Sequence, residues 1–402
     1  MRKSIILALA AAAFTLTSCD DFLDRDPRDT FTDTPAFWNN EKAVESYTNN
    51  FYNNFVGYGR GQGWFYFKSL SDDQAAASLV DWTYKTIPNT SSDYNSWFTE
   101  IRRASYVIQN MPSSTLPEAS KKKYLAVARL TRAYSYYMLV RQYGDVEWID
   151  GVINNPEDER IYGERTSRDV VMDNVLADLD YAIENLGAAS DHTQWNKDMA
   201  LAMKSEVCLF EGTFRKYCSA TENGLDPKPE RAQKYLQESQ KASEALMNGT
   251  YSLMDKYGDI YTQIDLVKSK EAIFYRHYEK DVFGHGLVDY TCGSTIQQGI
   301  TRDAFDAFLF KDGKCLANTG LSKNDQAVVN ADGNYSISNV LAQRDPRLSV
   351  IVDSIVCFSG HGWKRPAPAT AGGANMTSST GYSIFKYDNQ TLEKHYRENT
   401  NT

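Results

Sequence analysis

Residues 118–149, EASKKKYLAVARLTRAYSYYMLVRQYGDVEWI, decide the reading of this chain. Apolar or small residues recur at Tyr124, Val127, Ala128, Thr131, Ser135 and Met138, which is one face of a 3.6-residue helix. Ala126, Leu130, Ala133, Tyr137 and Val140 repeat that spacing on a second face, so the helix is expected to bury two sides between neighbours. Pro117 and Glu118 start it. Gly144 ends it, since glycine takes the left-handed conformation that closes a helix, and Asp145-Val-Glu-Trp-Ile runs on as extended chain.

Working outward, residues 93–111 place Trp97, Ile101, Ala104, Ile108 and Met111 on one helical face and pair with the central helix across Pro112 to Pro117. A second pair is expected over 166–186 and 198–216, and a long helix over 229–248 ends at Gly249. A first helix is expected over 41–55, with Ser, Thr and Asp residues ahead of Pro35 as its N-caps. Helix pairs recurring at intervals of about 35 to 40 residues predict a mainly α fold, a tetratricopeptide-like helical repeat array rather than a globule around a central sheet. An all-helical bundle without repeat geometry is the alternative. Neither period persists over 57–89, where Gly57, Gly59, Gly61 and Gly63 precede Trp64-Phe-Tyr-Phe, Ser71-Asp-Asp73 and Asp81-Trp-Thr-Tyr84. Glycine-punctuated, aromatic-rich loops between helices are where binding chemistry is usually mounted.

At the N-terminus, Arg2-Lys3, an apolar run over 5–14 and Leu16-Thr17-Ser18-Cys19 read as an export signal with a lipoprotein cleavage site. The expected organisation is a signal peptide over 1–18, a lipidated tether and N-terminal segment over 19–40 and a body over 41–402, with helical repeats to about 255 and a loop-rich part over 256–402. Cys19 would carry the thioether-linked lipid; an ordinary signal with an incidental cysteine is the alternative. At about 0.8 kcal/mol per buried CH₂, two or three acyl chains hold a protein durably on a membrane where one does not. The 402 residues, 42% hydrophobic and 13% aromatic, suffice for a large core in one or two intimately joined domains. A net charge of −9 without a basic cluster argues against nucleic acid. Cys208, Cys218, Cys292, Cys315 and Cys357 follow the signal without C-x-x-C spacing, so no disulfide pairing can be read from them.

The central helix resembles the signature helix of the SusD/RagB family of outer-membrane glycan-binding lipoproteins. Leu130-Thr-Arg132-Ala133, Tyr134, Tyr136, Tyr137 and Tyr143-Gly144-Asp145-Val146 carry the match, with Glu147 where the family has proline. Further segments agree in order: Asp20-Asp21 after Cys19, Phe37-Trp-Asn-Asn-Glu41, the helix 200–214, the helix ending at 242–253, a short strand expected at 271–274, the stretch 301–313 and Arg344-Asp-Pro-Arg-Leu. The chain departs from the family after Gly381-Tyr-Ser-Ile-Phe-Lys-Tyr387: members continue into further helices, so it reads as a C-terminally truncated member. The resemblance implies a cell-surface protein on the outer membrane. It would bind glycans and deliver them to a SusC-like TonB-dependent β-barrel transporter for nutrient uptake.

No catalytic motif is present: there is no H-E-x-x-H, G-x-S-x-G or phosphate-cradling glycine loop. His285 and His361 each stand between glycines but have no second metal ligand at fixed spacing. Asp72 and Asp73 are adjacent, and adjacent carboxylates rarely flank a glycosidic bond from opposite sides. A solvated loop or a structural calcium is the more economical reading. A pyranose packs its C–H face on an aromatic ring while its hydroxyls take polar partners at the rim. Trp64, Tyr66, Trp82 and Tyr84, close to Asp72, Asp73 and Gln74, have that composition, and Phe283, His285, Tyr290 and Gln297 form a second cluster. Against this, 26 Tyr and 7 Trp must mostly serve inter-helix packing, to which Trp97, Tyr134 and Tyr137 are assigned. No cofactor is implied. A peptide-binding tetratricopeptide-like scaffold and a glycoside hydrolase are the alternative functions.

Overall fold

The central segment forms one helix of 26 residues, closed at Gly144, whose φ of 74° favours glycine. Both expected faces are buried, with only Met138 of the residues assigned to them left half-buried. The computed structural model describes residues 31, 33–55, 73–75, 90–188, 191–218, 228–263, 265–279, 299–323, 326–331, 333, 335–355, 365–366, 375–376, 378, 380–382 and 384.

In chain order the helices are α1 (Pro35–Trp38), α2 (Glu41–Asn49), α3 (Ser92–Asn110), α4 (Glu118–Tyr143), α5 (Arg168–Asn185), α6 (Lys197–Tyr217) and α7 (Pro229–Met247). From α3 onward each packs on the next, α3 on α4, α4 on α5, α5 on α6 and α6 on α7, which is the stacked array of helix pairs that the spacing predicts. Polar caps set the starts: Thr34, Asn40, Ser91 and Asn196 accept from backbone N–H groups of the first turns of α1, α2, α3 and α6. Two expectations need correction. The helix expected over 41–55 is α-helical only to Asn49 and continues as a 3-10 turn over Asn50–Asn54. The asparagines there compete for the backbone, with Asn50 Nδ2 donating to the carbonyls of Ser46 and Tyr47. No strand forms at 271–274: Tyr275 N donates to the His192 carbonyl at 3.0 Å and the Ile273 carbonyl lies 3.0 Å from His192 Nδ1, so a loop takes these groups instead of a ladder.

The part after α7 contains short elements: α8 (Asp259–Thr262), α9 (Arg302–Ala307), α10 (Ser338–Leu341) and α11 (Leu348–Ile351). Three antiparallel pairs accompany them, β1 (Gln74–Ala75) with β2 (Gly299–Ile300), β3 (Val328–Val329) with β4 (Tyr335–Ser336), and β5 (Arg365–Pro366) with β6 (Asn375–Met376). Ile300, Phe305, Ile337, Val340, Leu341, Leu348 and Val352 form a second small core there, separate from the large one under α3 to α6.

Buried ions tie the large core together. Arg132 of α4 donates through Nε and Nη2 to Asp178 of α5 at 2.7 and 2.9 Å, both side chains buried. The Arg132 guanidinium also lies 4.9 Å from the Trp148 ring, which stacks on Tyr136 at 4.3 Å. The chain leaving α4 therefore folds back over its own helix, and there the Tyr136 hydroxyl accepts from Ile149 N and Asp145 accepts from Arg168 N at the head of α5. A second set links α5 to α6. Glu211, fully buried, takes Arg168 at 2.7 Å and Arg215 at 2.8 Å, and Arg168 packs on the Phe214 ring. At the neighbouring Gly212 a Cβ would come within 2.7 Å of the Leu236 side chain, so glycine lets α6 and α7 approach closely.

Asp169 beside this set is paired with Arg215, Lys228 and Arg231. Burial opposes its ionisation, but the hydrogen bond from Lys228 and the neighbouring guanidinium charges prevail and hold its carboxyl below the usual carboxylate range. A folded-state value below the unfolded one of about 3.9 means that these pairs stabilise the fold above that pH and lose their contribution as the pH falls through the folded value. Removing one partner of a buried pair leaves an uncompensated charge, so Asp178→Ala is expected to lower the unfolding free energy by ~3–5 kcal/mol, read from the urea midpoint. Arg132→Met combined with Asp178→Leu is expected to recover most of that loss.

Candidate functional site

The strand pair β1–β2 joins the two parts of the chain that sequence reading singles out. Gln74 pairs with Ile300 and Ala75 with Gly299, and Thr301 N donates to the Asp73 carbonyl at 3.0 Å. In sequence, β1 lies between Tyr66 and Trp82, and β2 follows Tyr290. The junction is backed from the C-terminal side: Ile300 N donates to the Tyr382 carbonyl at 3.1 Å, and the Tyr382 ring stacks on buried Phe305 at 4.8 Å. A Cβ on Gly299 would collide with the side chains of Thr380 and Ser378, so this closeness requires glycine. Thr301 caps α9, which places Arg302 within 3.3 Å of the Tyr382 hydroxyl and 2.6 Å of Asp306. Below it Arg344, almost fully buried, donates to Asp306 and to the Phe308 carbonyl and lies 4.3 Å from the Phe310 ring. Charge pairs and a small apolar core therefore hold the junction.

Of the predicted site residues, Asp73 is described: it is exposed, in a turn at the start of β1. Trp64, Tyr66, Asp72, Trp82, Tyr84, Phe283, His285 and Tyr290, the lipidation residue Cys19, and Gln297 and His361 lie outside the described residues. The aromatics assigned to packing do pack: Tyr137 is buried, and Tyr134 meets Trp97 edge-on at 5.7 Å. Cys208, Cys218 and Cys315 are free thiols, and burial pushes the Cys208 thiol up to about 12, where it is inert. Among the described residues no group of His, Cys, Asp and Glu is arranged to hold a metal ion, and no helix is long and apolar enough to cross a membrane.

One aromatic grouping has no sequence signal. Tyr52 after α2 and Trp195 before α6 stack at 4.4 Å with rings 15° apart, and Phe274 stacks on both. Trp195 N donates to the Tyr52 hydroxyl at 3.0 Å; burial pushes that phenol up to about 12 although the donated hydrogen bond opposes the shift. The three rings come from distant segments with no shared spacing.

Residues 21–209 match the SusD-like family model described as starch-binding and associating with the outer membrane. A SusD-like protein of Bacteroides ovatus is 26% identical over 280 residues, covering 64% of this chain and 47% of that protein. Two SusD-like structures from Bacteroides fragilis superpose with a TM-score of 0.61, at 21% and 19% identity, covering 91% and 89% of this chain and 72% and 69% of theirs. Over residues 21–209 the chain is similar to the SusD-like family. Its helical array is the fold of these SusD-like structures. A second SusD-like relative, P38 of Formosa agariphila, is 25% identical over 222 residues, 52% of this chain and 42% of that protein. The chain spans about half the length of the curated relatives it matches.

The strand junction generates its own test. Gly299→Val forces a branched side chain into Thr380 and Ser378 and is expected to separate β1 from β2. Limited proteolysis should then show new cleavage near residues 73–75, while the helical circular dichroism, set by α3 to α7, stays unchanged.

Proposed function

We propose that this SusD-like chain is a cell-surface lipoprotein that captures glycans and passes them to a SusC-like TonB-dependent β-barrel. The observation that carries the reading is the agreement of the family match over residues 21–209 with the helical fold shared with SusD-like structures. One of the B. fragilis proteins of the same fold is described as a SusD-like carbohydrate-binding protein, and the family model is described as associating with the outer membrane. Loop rings supply C–H stacking faces, and Asp72, Asp73 and Gln74 supply polar partners for hydroxyls. The proposed ligand contacts are Trp64, Tyr66, Asp72, Asp73, Trp82, Tyr84, Phe283, His285 and Tyr290, with lipidation at Cys19. Binding proceeds without turnover on this reading, since Asp72 and Asp73 are adjacent in sequence and adjacent carboxylates rarely flank a glycosidic bond from opposite sides.

An oligosaccharide is too large and polar to cross lipid, so capture at the surface requires a channel beside it. A lipid tether at Cys19 would hold the body near that channel and raise its effective concentration without any new contact.

By analogy with base–aromatic stacking, loss of one stacked ring costs ~1–3 kcal/mol, so Trp82→Ala should weaken oligosaccharide binding about tenfold or more with unchanged circular dichroism. Oligosaccharide cleavage that disappears in Asp72→Asn or Asp73→Asn would instead make the protein a hydrolase. Cys19→Ala should release the protein from outer-membrane fractions. Retention after a high-salt wash would contradict the tether.

A further inference from the structure

A cavity of about 220 Å³ opens between α2, α4 and the loop before α6, on elements separate from the β1–β2 junction. Glu45, Asn49, Tyr52, Lys123, Gln194 and Trp195 are among the residues lining it. We propose that this cavity is a second sugar subsite that takes one neutral pyranose ring; the inference extends the glycan-binding reading above and rests on it for the ligand class.

Size comes first. At roughly 30 Å³ per water the cavity has room for about seven waters, less than the ~300–1,000 Å³ of a pocket for a drug-sized ligand, so it suits a single ring rather than an oligosaccharide. Its wall is aromatic and held rigid. Tyr52 and Trp195 are stacked at 4.4 Å, Phe274 backs Trp195 at 6.4 Å, and the bond from Trp195 N to the Tyr52 hydroxyl fixes one ring against the other. Such a plate offers a face or edge to the C–H side of a sugar at little entropic cost, because neither stacked ring must be ordered on binding.

The polar lining carries no net charge. Glu45 and Lys123 contribute one negative and one positive group, and among the described residues neither has an ion-pair partner. Glu45 is exposed at the rim of the cleft, and behind burial its carboxylate is one of the charges that raise the phenols of both Tyr52 and Tyr124. Asn49 and Gln194 add amides, each both donor and acceptor. With one group of each sign, attraction and repulsion offset for an acidic or a basic sugar, whereas neutral hydroxyls can donate to the carboxylate and accept from the ammonium.

The test uses the full chain labelled with 5-fluorotryptophan, the Trp195 resonance being assigned by its loss in Trp195→Phe. The methyl glycosides of glucose, galactose, mannose and xylose are titrated into the millimolar range. At least one should shift the Trp195 resonance saturably. Glu45→Ala combined with Asn49→Ala, both exposed positions on α2, should raise the midpoint tenfold or more, and Trp82→Ala should leave it in place. If no glycoside moves the resonance, or the double variant keeps the midpoint, the subsite is excluded. Loss of oligosaccharide binding in Trp82→Ala would still stand, so the two readings fail separately.

Discussion

The buried pair of Arg132 and Asp178 is the interaction on which the rest of the helical body depends. A guanidinium and a carboxylate removed from water cost several kcal/mol each, and only bidentate geometry with further contacts offsets this. Here those contacts come from the chain that follows α4. Trp148 covers the guanidinium, Tyr136 stacks on Trp148, and Asp145 holds the head of α5. The Leu-x-Arg-Ala, tyrosine-rich and Tyr-Gly-Asp-Val parts of the signature therefore serve one structural purpose. They fix the register of α4 against α5, and Glu211 with its two arginines continues the same device into α6.

A rigid array of this kind leaves recognition to what is mounted on it. The β1–β2 pair lies about 225 residues apart in sequence, and such long-range closure is entropically costly unless other contacts hold the ends. Arg344, Phe305 and Tyr382 hold one side, and Gly299 allows the close approach. The aromatic cleft beside α2 belongs to a different part of the body. There α2 and α4 form one wall, and the turn after α2 and the loop before α6 supply the stacked rings.

Much of the helical array is legible in the sequence because five long helices each carry periodic apolar faces, and the breaks at Pro117, Gly144 and Gly249 are local chemistry. The buried charges are not legible from periodicity. Arg132 and Glu211 sit among apolar positions, and a charged residue there reads as surface until its partner on another helix is known. The strand expected at 271–274 failed for a related reason: its polar groups are taken by His192, some eighty residues earlier. Of the two loop clusters, composition indicated where ring and polar groups are concentrated. The Tyr52–Trp195 stack left no such trace, since each ring is isolated in its own segment.

On the proposed function this body binds sugar and does no chemistry on it. The most direct measurement is a glycan array probed with this chain, followed by analysis of each retained glycan for cleavage. Retention of a restricted set of oligosaccharides, recovered intact, is the predicted result. Absence of retention across the array, or recovery of shortened products, would contradict it.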